Sequence, residues 1–172
     1  MPIYALGPLV PRIDPAAFVH PDAVLIGDVR IGAGSSIWPA AVLRGDTGYI
    51  AVGERTSIQD GTVVHTTEQW PTVIGSECVV GHNAQLEGCR VGDGCLVGSG
   101  SIVLNRAELA PGSGVAAAAL VPEDAVVAAG QLAVGVPARP RPAPELSAWV
   151  AEAARHYVEL AERFRADLRR IG

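Results

Sequence analysis

Aliphatic residues recur at every sixth position along most of this chain. Ile31, Ile37 and Leu43 form one series, Val52, Ile58 and Val64 a second, and Ile74, Val80 and Leu86 a third. After one step of five, the period resumes at Val91, Val97, Val103, Leu109, Val115, Val121 and Val127. Glycine often follows the aliphatic residue, as at Gly32, Gly53, Gly75, Gly81, Gly92 and Gly98. Neither the two-residue period of an ordinary strand nor the 3.6-residue period of a helix fits this spacing. A six-residue unit that makes one side of a triangular coil does fit, which predicts a mainly β chain wound as a parallel β-helix. No such coil buries its inner face alone, so the units must stack. The period by itself leaves the hand of the winding open.

The pattern changes twice near the end. Gly135-Val136-Pro137-Ala138-Arg139-Pro140-Arg141-Pro142-Ala143-Pro144 carries alternating prolines, which predict a stiff linker that continues neither sheet nor helix. Beyond it, Leu146, Trp149, Val150, Ala153, Tyr157, Leu160, Phe164, Leu168 and Ile171 fall at steps of three and four, one face of an amphipathic helix. The expected organisation is a β-helix over 1–137, a linker over 138–144 and a C-terminal α-helix over 145–172 packed against it within the same domain.

Composition narrows the function. Of 172 residues, 49% are hydrophobic but only 5% aromatic, beside 20 glycines and 13 prolines, a balance suited to many small regular turns. The net charge of -5 gives no basic surface for nucleic acid. No apolar run is long enough for a membrane span, and the proline-broken start lacks the cationic region of a signal peptide. Three cysteines, Cys78, Cys89 and Cys95, without CxxC spacing suggest reduced, buried thiols and a cytoplasmic compartment.

Coil counting then places the candidate chemistry. A coil of three units takes about 18 residues. Leu43 and Val64 lie 21 apart and Val64 and Leu86 lie 22 apart, which is one coil each plus short insertions at Thr47–Ala51 and Thr66–Thr72. Arg44, His65 and Glu87 therefore stack in one column. The same spacing from Ile58 to Val80 places Asp60 over His82 in a second column on another side of the prism. One chain does not bring both columns to a single ion, and closing a site requires a second subunit. His20 and His156 lie outside both columns and read as packing or surface residues.

The stretches Trp38-Pro39, Leu43-Arg44-Gly45-Asp46, Thr56-Ser57-Ile58-Gln59-Asp60-Gly61, Val64-His65, Val80-Gly81-His82 and Leu86-Glu87-Gly88-Cys89 resemble the γ-class carbonic anhydrase family of hexapeptide proteins. That resemblance covers nearly the whole chain. It implies a left-handed β-helix, a homotrimer, a divalent metal such as Zn2+, Fe2+ or Co2+ at each subunit interface, and reversible hydration of CO2 to bicarbonate. It implies metal ligation by His65 and the residue at position 87 of one chain and by His82 of the next. The family pattern has histidine where this chain has Glu87. Two histidines and a glutamate are an accepted catalytic zinc set, so Glu87 either completes a less electrophilic centre or ends the ancestral chemistry.

The same resemblance assigns Gln59 to orienting the reacting water and Arg44, Asp46 and Asp60 to an interfacial charge network. It places Tyr157 beside the site. Glu68, on the inserted loop, is a candidate proton carrier. Two other readings share the scaffold: an acyl-CoA-dependent acyltransferase with His65 or His82 as general base, and a non-catalytic trimeric scaffold.

Overall fold

The computed structural model describes residues 2–172. It is a parallel β-helix of about seven turns with a single C-terminal helix. Three inward columns carry the aliphatic period. Leu43 pairs with Val64, Val64 with Leu86, Leu86 with Val103 and Val103 with Val121. Ile37, Ile58, Val80, Val97 and Val115 form the second column, and Val52, Ile74, Val91, Leu109 and Val127 the third. Nearly all of these side chains are fully buried, so the six-residue period is the core itself.

One corner carries a polar ladder. Ser35, Thr56, Cys78 and Cys95 occupy the same place in successive coils. Their side chains donate to the carbonyls of Gly53, Gly75, Gly92 and Ala110 at 2.6, 2.7, 3.1 and 3.1 Å. The corner carbonyls are buried and need such partners. Hydroxyl and thiol groups are small enough to supply them without opening the coil.

The two insertions are where the coils cease to be uniform. Gly27 pairs with Gly45 but Val29 pairs with Ile50, so three extra residues fall within Asp46–Tyr49, earlier than the expected Thr47–Ala51. Strand Val42–Val52 thus runs unbroken around a corner. The second insertion leaves strand Val63–His65 and rejoins at Thr72–Ile74, as expected.

The proline-rich segment departs from expectation. Rather than a linker, Ala138–Pro142 is an edge strand, antiparallel to Gln131–Gly135 and closing the last coil. Alternation makes this possible. Pro140 and Pro142 face Ala133 and Gln131, while Arg139 and Arg141, which keep their N–H groups, face Val134 and Leu132. An edge strand needs donors only on its inner side.

Helix Leu146–Asp167 runs back along the side of the prism that carries the Ile37 column. Leu146, Val150 and Ala154 pack with Val79, Leu96 and Leu132. Ala161 joins Phe18 and Trp38, with Tyr157 and Phe164 alongside. Trp149, Leu168 and Ile171, expected on the packing face, are 54%, 46% and 91% exposed. Ala154 and Ala161 take the close contacts against a flat sheet, while the helix ends before Leu168.

Candidate metal centre

The first column forms as the spacing predicts. Arg44 pairs with His65 and His65 with Glu87 across three neighbouring parallel strands. The His65 ring lies between two carboxylates. Its Nε2 is 3.1 Å from Asp46 Oδ1 and its Nδ1 is 3.5 Å from Glu87 Oε1. Arg44 donates to the other oxygen of Asp46. Burial alone would raise the Asp46 carboxyl, but the hydrogen bonds from His65 and Arg44 hold it below the ordinary carboxylate range. Arg44 is therefore committed to Asp46, not to Glu87.

Glycine makes this geometry possible. A Cβ on Gly45 would lie 2.6 Å from the carbonyl oxygen of Asp28 in the preceding coil. Only a residue without a side chain lets the strand pass that close between Arg44 and Asp46.

Thr72, which spacing did not single out, locks the two candidate ligands together from behind. Its buried hydroxyl donates to the carbonyl of His65 and accepts the Gly88 N–H at 2.8 Å. The only mark of this role in sequence is that Thr72 ends the inserted loop. That loop is closed by its own polar groups, with Thr66 Oγ1 donating to the Trp70 carbonyl and the Trp70 N–H donating to Thr67 Oγ1.

The second column also forms. His82 Nδ1 lies 2.9 Å from Asp60 Oδ2, and the Asn83 N–H donates to the Asp60 carbonyl. His82 is half exposed, with 51% of its side-chain surface open. Its strand neighbours Val79–Val80 belong to a different sheet from those that carry His65 and Glu87. Accordingly, among the described residues no three His, Cys, Asp or Glu side chains converge to hold an ion within one chain.

The remaining candidates sort by distance from these columns. Gln59 is buried at the corner before Asp60. Tyr157 stacks edge-on against Trp38 with ring centroids 5.9 Å apart. Burial, and then the nearby charge of Asp60, raise its phenol above the ordinary value, which ties the helix to the second column. Glu68 is exposed on the inserted loop. Asp60 pairs with His82 and not with Arg44, so the expected three-residue charge network is not closed inside one chain. Cys89 is fully buried in the coil interior, where burial pushes its thiol up to about 12. The buried His20 accepts the Asp22 N–H at Nδ1 in a surface turn, and His156 is exposed.

Two of the candidate donors, His65 and Glu87, are spaced as ligands of a divalent ion would be. Bonds of about 2.1 Å to a tetrahedral centre place two ligand atoms about 3.4 Å apart, close to the 3.5 Å between His65 Nδ1 and Glu87 Oε1. That separation is too long for a good hydrogen bond.

Together the stacked coils and their outward histidines define a left-handed β-helix protein of hexapeptide repeats. The family model "Bacterial transferase hexapeptide (six repeats)" matches residues 71–105. Gamma carbonic anhydrase 1, mitochondrial, of Arabidopsis thaliana is 39% identical over 165 residues, covering 91% of this chain and 60% of that protein. The chain thus spans about three-fifths of that relative's length. The carnitine operon protein CaiE of Escherichia coli K12 is 43% identical over 139 residues, covering 81% of this chain and 71% of that one. A crystal structure of a hexapeptide transferase family protein from Anaplasma phagocytophilum superposes with a TM-score of 0.91 at 39% identity, covering 95% and 98% of the two chains. The chain belongs to the hexapeptide-repeat family that includes the γ-class carbonic anhydrases and the CaiE proteins.

Proposed function

We propose that this chain is a γ-carbonic-anhydrase-like lyase that hydrates CO2 to bicarbonate at three metal sites in a homotrimer. The observation that carries this reading is the pair of outward histidines on separate edges, with Glu87 held at ligand distance from His65. His65 and Glu87 of one chain and His82 of the partner subunit would then hold a divalent ion, Zn2+, Fe2+ or Co2+. Bound there, such an ion supplies the Lewis acidity that makes water a nucleophile near neutral pH.

A trimer is supported by the outer surface of the side that carries His65 and Glu87. Val24, Val42, Val63, Ile102 and Leu120 stack there in register with Gln85, and Val63 is 41% exposed. The helix covers another side, and the third mixes charged with apolar residues, Arg30, Ala51, Val73, Arg90, Glu108 and Val126. An apolar stripe in such surroundings marks an interaction surface, and a second copy placed on it supplies the missing histidine.

In this arrangement Gln59 orients the reacting water, and Tyr157 with Trp38 walls the site on the helix side. Glu68 passes the released proton to solvent. Arg44, Asp46 and Asp60 fix the register between subunits, since complementary charges at an interface specify alignment.

Glu87 sets the chemistry apart from an all-histidine site. Its negative charge makes the centre less electrophilic, so hydration rises toward alkaline pH. The test is elemental analysis of chelator-free protein beside a His65→Ala/His82→Ala double variant, followed by CO2 hydration across pH. About one ion per chain, lost in the double variant, is expected. Glu87→His should raise hydration at neutral pH and Glu87→Ala should lose the ion. A metal-free protein after reconstitution overturns the proposal, and stabilisation by acetyl-CoA against heat would then point to acyl transfer.

A further inference from the structure

The two histidine columns share a device. Each imidazole is backed by a carboxylate, but through opposite ring nitrogens. His82 uses Nδ1 toward Asp60 at 2.9 Å, and His65 uses Nε2 toward Asp46 at 3.1 Å. A neutral imidazole carries one N–H and one lone pair, and a neighbouring acceptor decides which nitrogen keeps the proton. Asp46 also accepts from Arg44, a side chain that only donates. Its remaining oxygen can therefore only accept from His65.

We infer that Asp46 and Asp60 are positioning residues that set opposite tautomers in the two histidines, leaving Nδ1 of His65 and Nε2 of His82 as the atoms that face the ion. The inference rests on the metal reading above and adds which atoms bind and what selects them. The His65 half is consistent in distance, because the freed Nδ1 is the atom 3.5 Å from Glu87 Oε1. The His82 half is consistent in exposure. With Nδ1 tied to Asp60 on its own column, Nε2 is the nitrogen left free on a ring whose side chain is half exposed. Carboxylate backing of this kind orients a ligand ring and raises its basicity. Mixed use of the two nitrogens would let one interface accept ligands that approach from two different sides of a prism.

The experiment has two readouts on the whole 172-residue chain. The first is two-bond 1H–15N correlation of histidine-labelled, metal-free protein at about pH 8, where ordinary histidines are neutral. His82 is expected as the Nδ1–H tautomer and His65 as the Nε2–H tautomer. The reverse assignment at either residue, or rapid exchange between tautomers, overturns the inference. The second is Co2+ affinity by chelator competition, read with the visible Co2+ spectrum, for Asp60→Asn and Asp46→Asn, with Asp60→Glu as the conservative rescue. A loss of about 10- to 100-fold in affinity with an altered spectrum and an unchanged sedimentation profile is expected, with partial recovery in Asp60→Glu. Unchanged affinity and spectrum in the Asn variants of a protein that binds Co2+ overturns the inference while leaving the metal reading intact. A wild-type protein that binds no Co2+ overturns the metal reading, and the tautomer measurement still decides this one. An Asn variant that fails to assemble leaves the decision to the wild-type tautomers as well.

Discussion

At the scale of single residues, the absence of a side chain matters as much as its presence. Gly45 lies between Arg44 and Asp46, where a methyl group would meet the Asp28 carbonyl oxygen at 2.6 Å and its carbon at 3.0 Å. Both contacts are with backbone, which cannot rotate away. Gly45→Ala should therefore cost about 1–3 kcal/mol of stability, the usual range for overpacking a filled interior, and shift Asp46 relative to His65. Urea unfolding measures the first effect. Weakened metal binding by the otherwise folded variant measures the second, and an alanine variant as stable as the parent would show that the coils can separate locally. Thr72 shows the converse, since one buried hydroxyl bridges the strands that carry His65 and Glu87.

At the scale of elements, the helix is a wall more than a domain. Its buried face of Leu146, Val150, Ala154 and Ala161 lies on the sheet whose strands Ser57–Ile58 and Val79–Val80 lead into Gln59, Asp60 and His82, and through Tyr157 it reaches both Trp38 and the field of Asp60. Val150 is fully buried. Val150→Ala removes the equivalent of two methylene groups, about 1.6 kcal/mol, plus a term for the space left behind. The expected outcome is a lowered unfolding midpoint in urea, with faster proteolysis in the helix than in the coils. Equal protection of helix and coils would mean that they open together. The Ala138–Pro142 strand works at the same scale, pairing with the last parallel strand through its non-proline residues while the prolines keep its outer edge from recruiting another chain.

At the scale of the whole molecule, the proposed metal site needs a second copy of the chain. The apolar stripe through Val63 and the edge bearing His82 belong to different parts of the prism, and in the proposed trimer a ring of copies would bring one against the other. Placing a charge in the stripe by Val63→Glu should break the assembly, since an unpaired buried carboxylate costs several kcal/mol at an interface. Sedimentation should show smaller species with intact β structure, and the bound metal should fall with the assembly. A Val63→Glu protein that remains trimeric would place the interface elsewhere.

Sequence alone determined the coil. A six-residue aliphatic period admits one efficient way to bury its side chains, so stacking, registers and the two columns Arg44–His65–Glu87 and Asp60–His82 followed from counting. It determined the family as well, through motifs spread over nearly the whole chain. Tertiary structure decided what depends on neighbours distant in sequence. The 138–144 segment became a strand because a partner strand met its alternate N–H groups. Trp149 turned outward because the small Ala154 and Ala161 take the close contacts beneath the helix, and Leu168 because the helix ends before it. Arg44 turned to Asp46 and Asp60 to His82 because side-chain pairing is settled by distances of a few ångströms, which a residue count cannot resolve. The period fixes which residues share an edge, and only packing fixes which of their atoms meet.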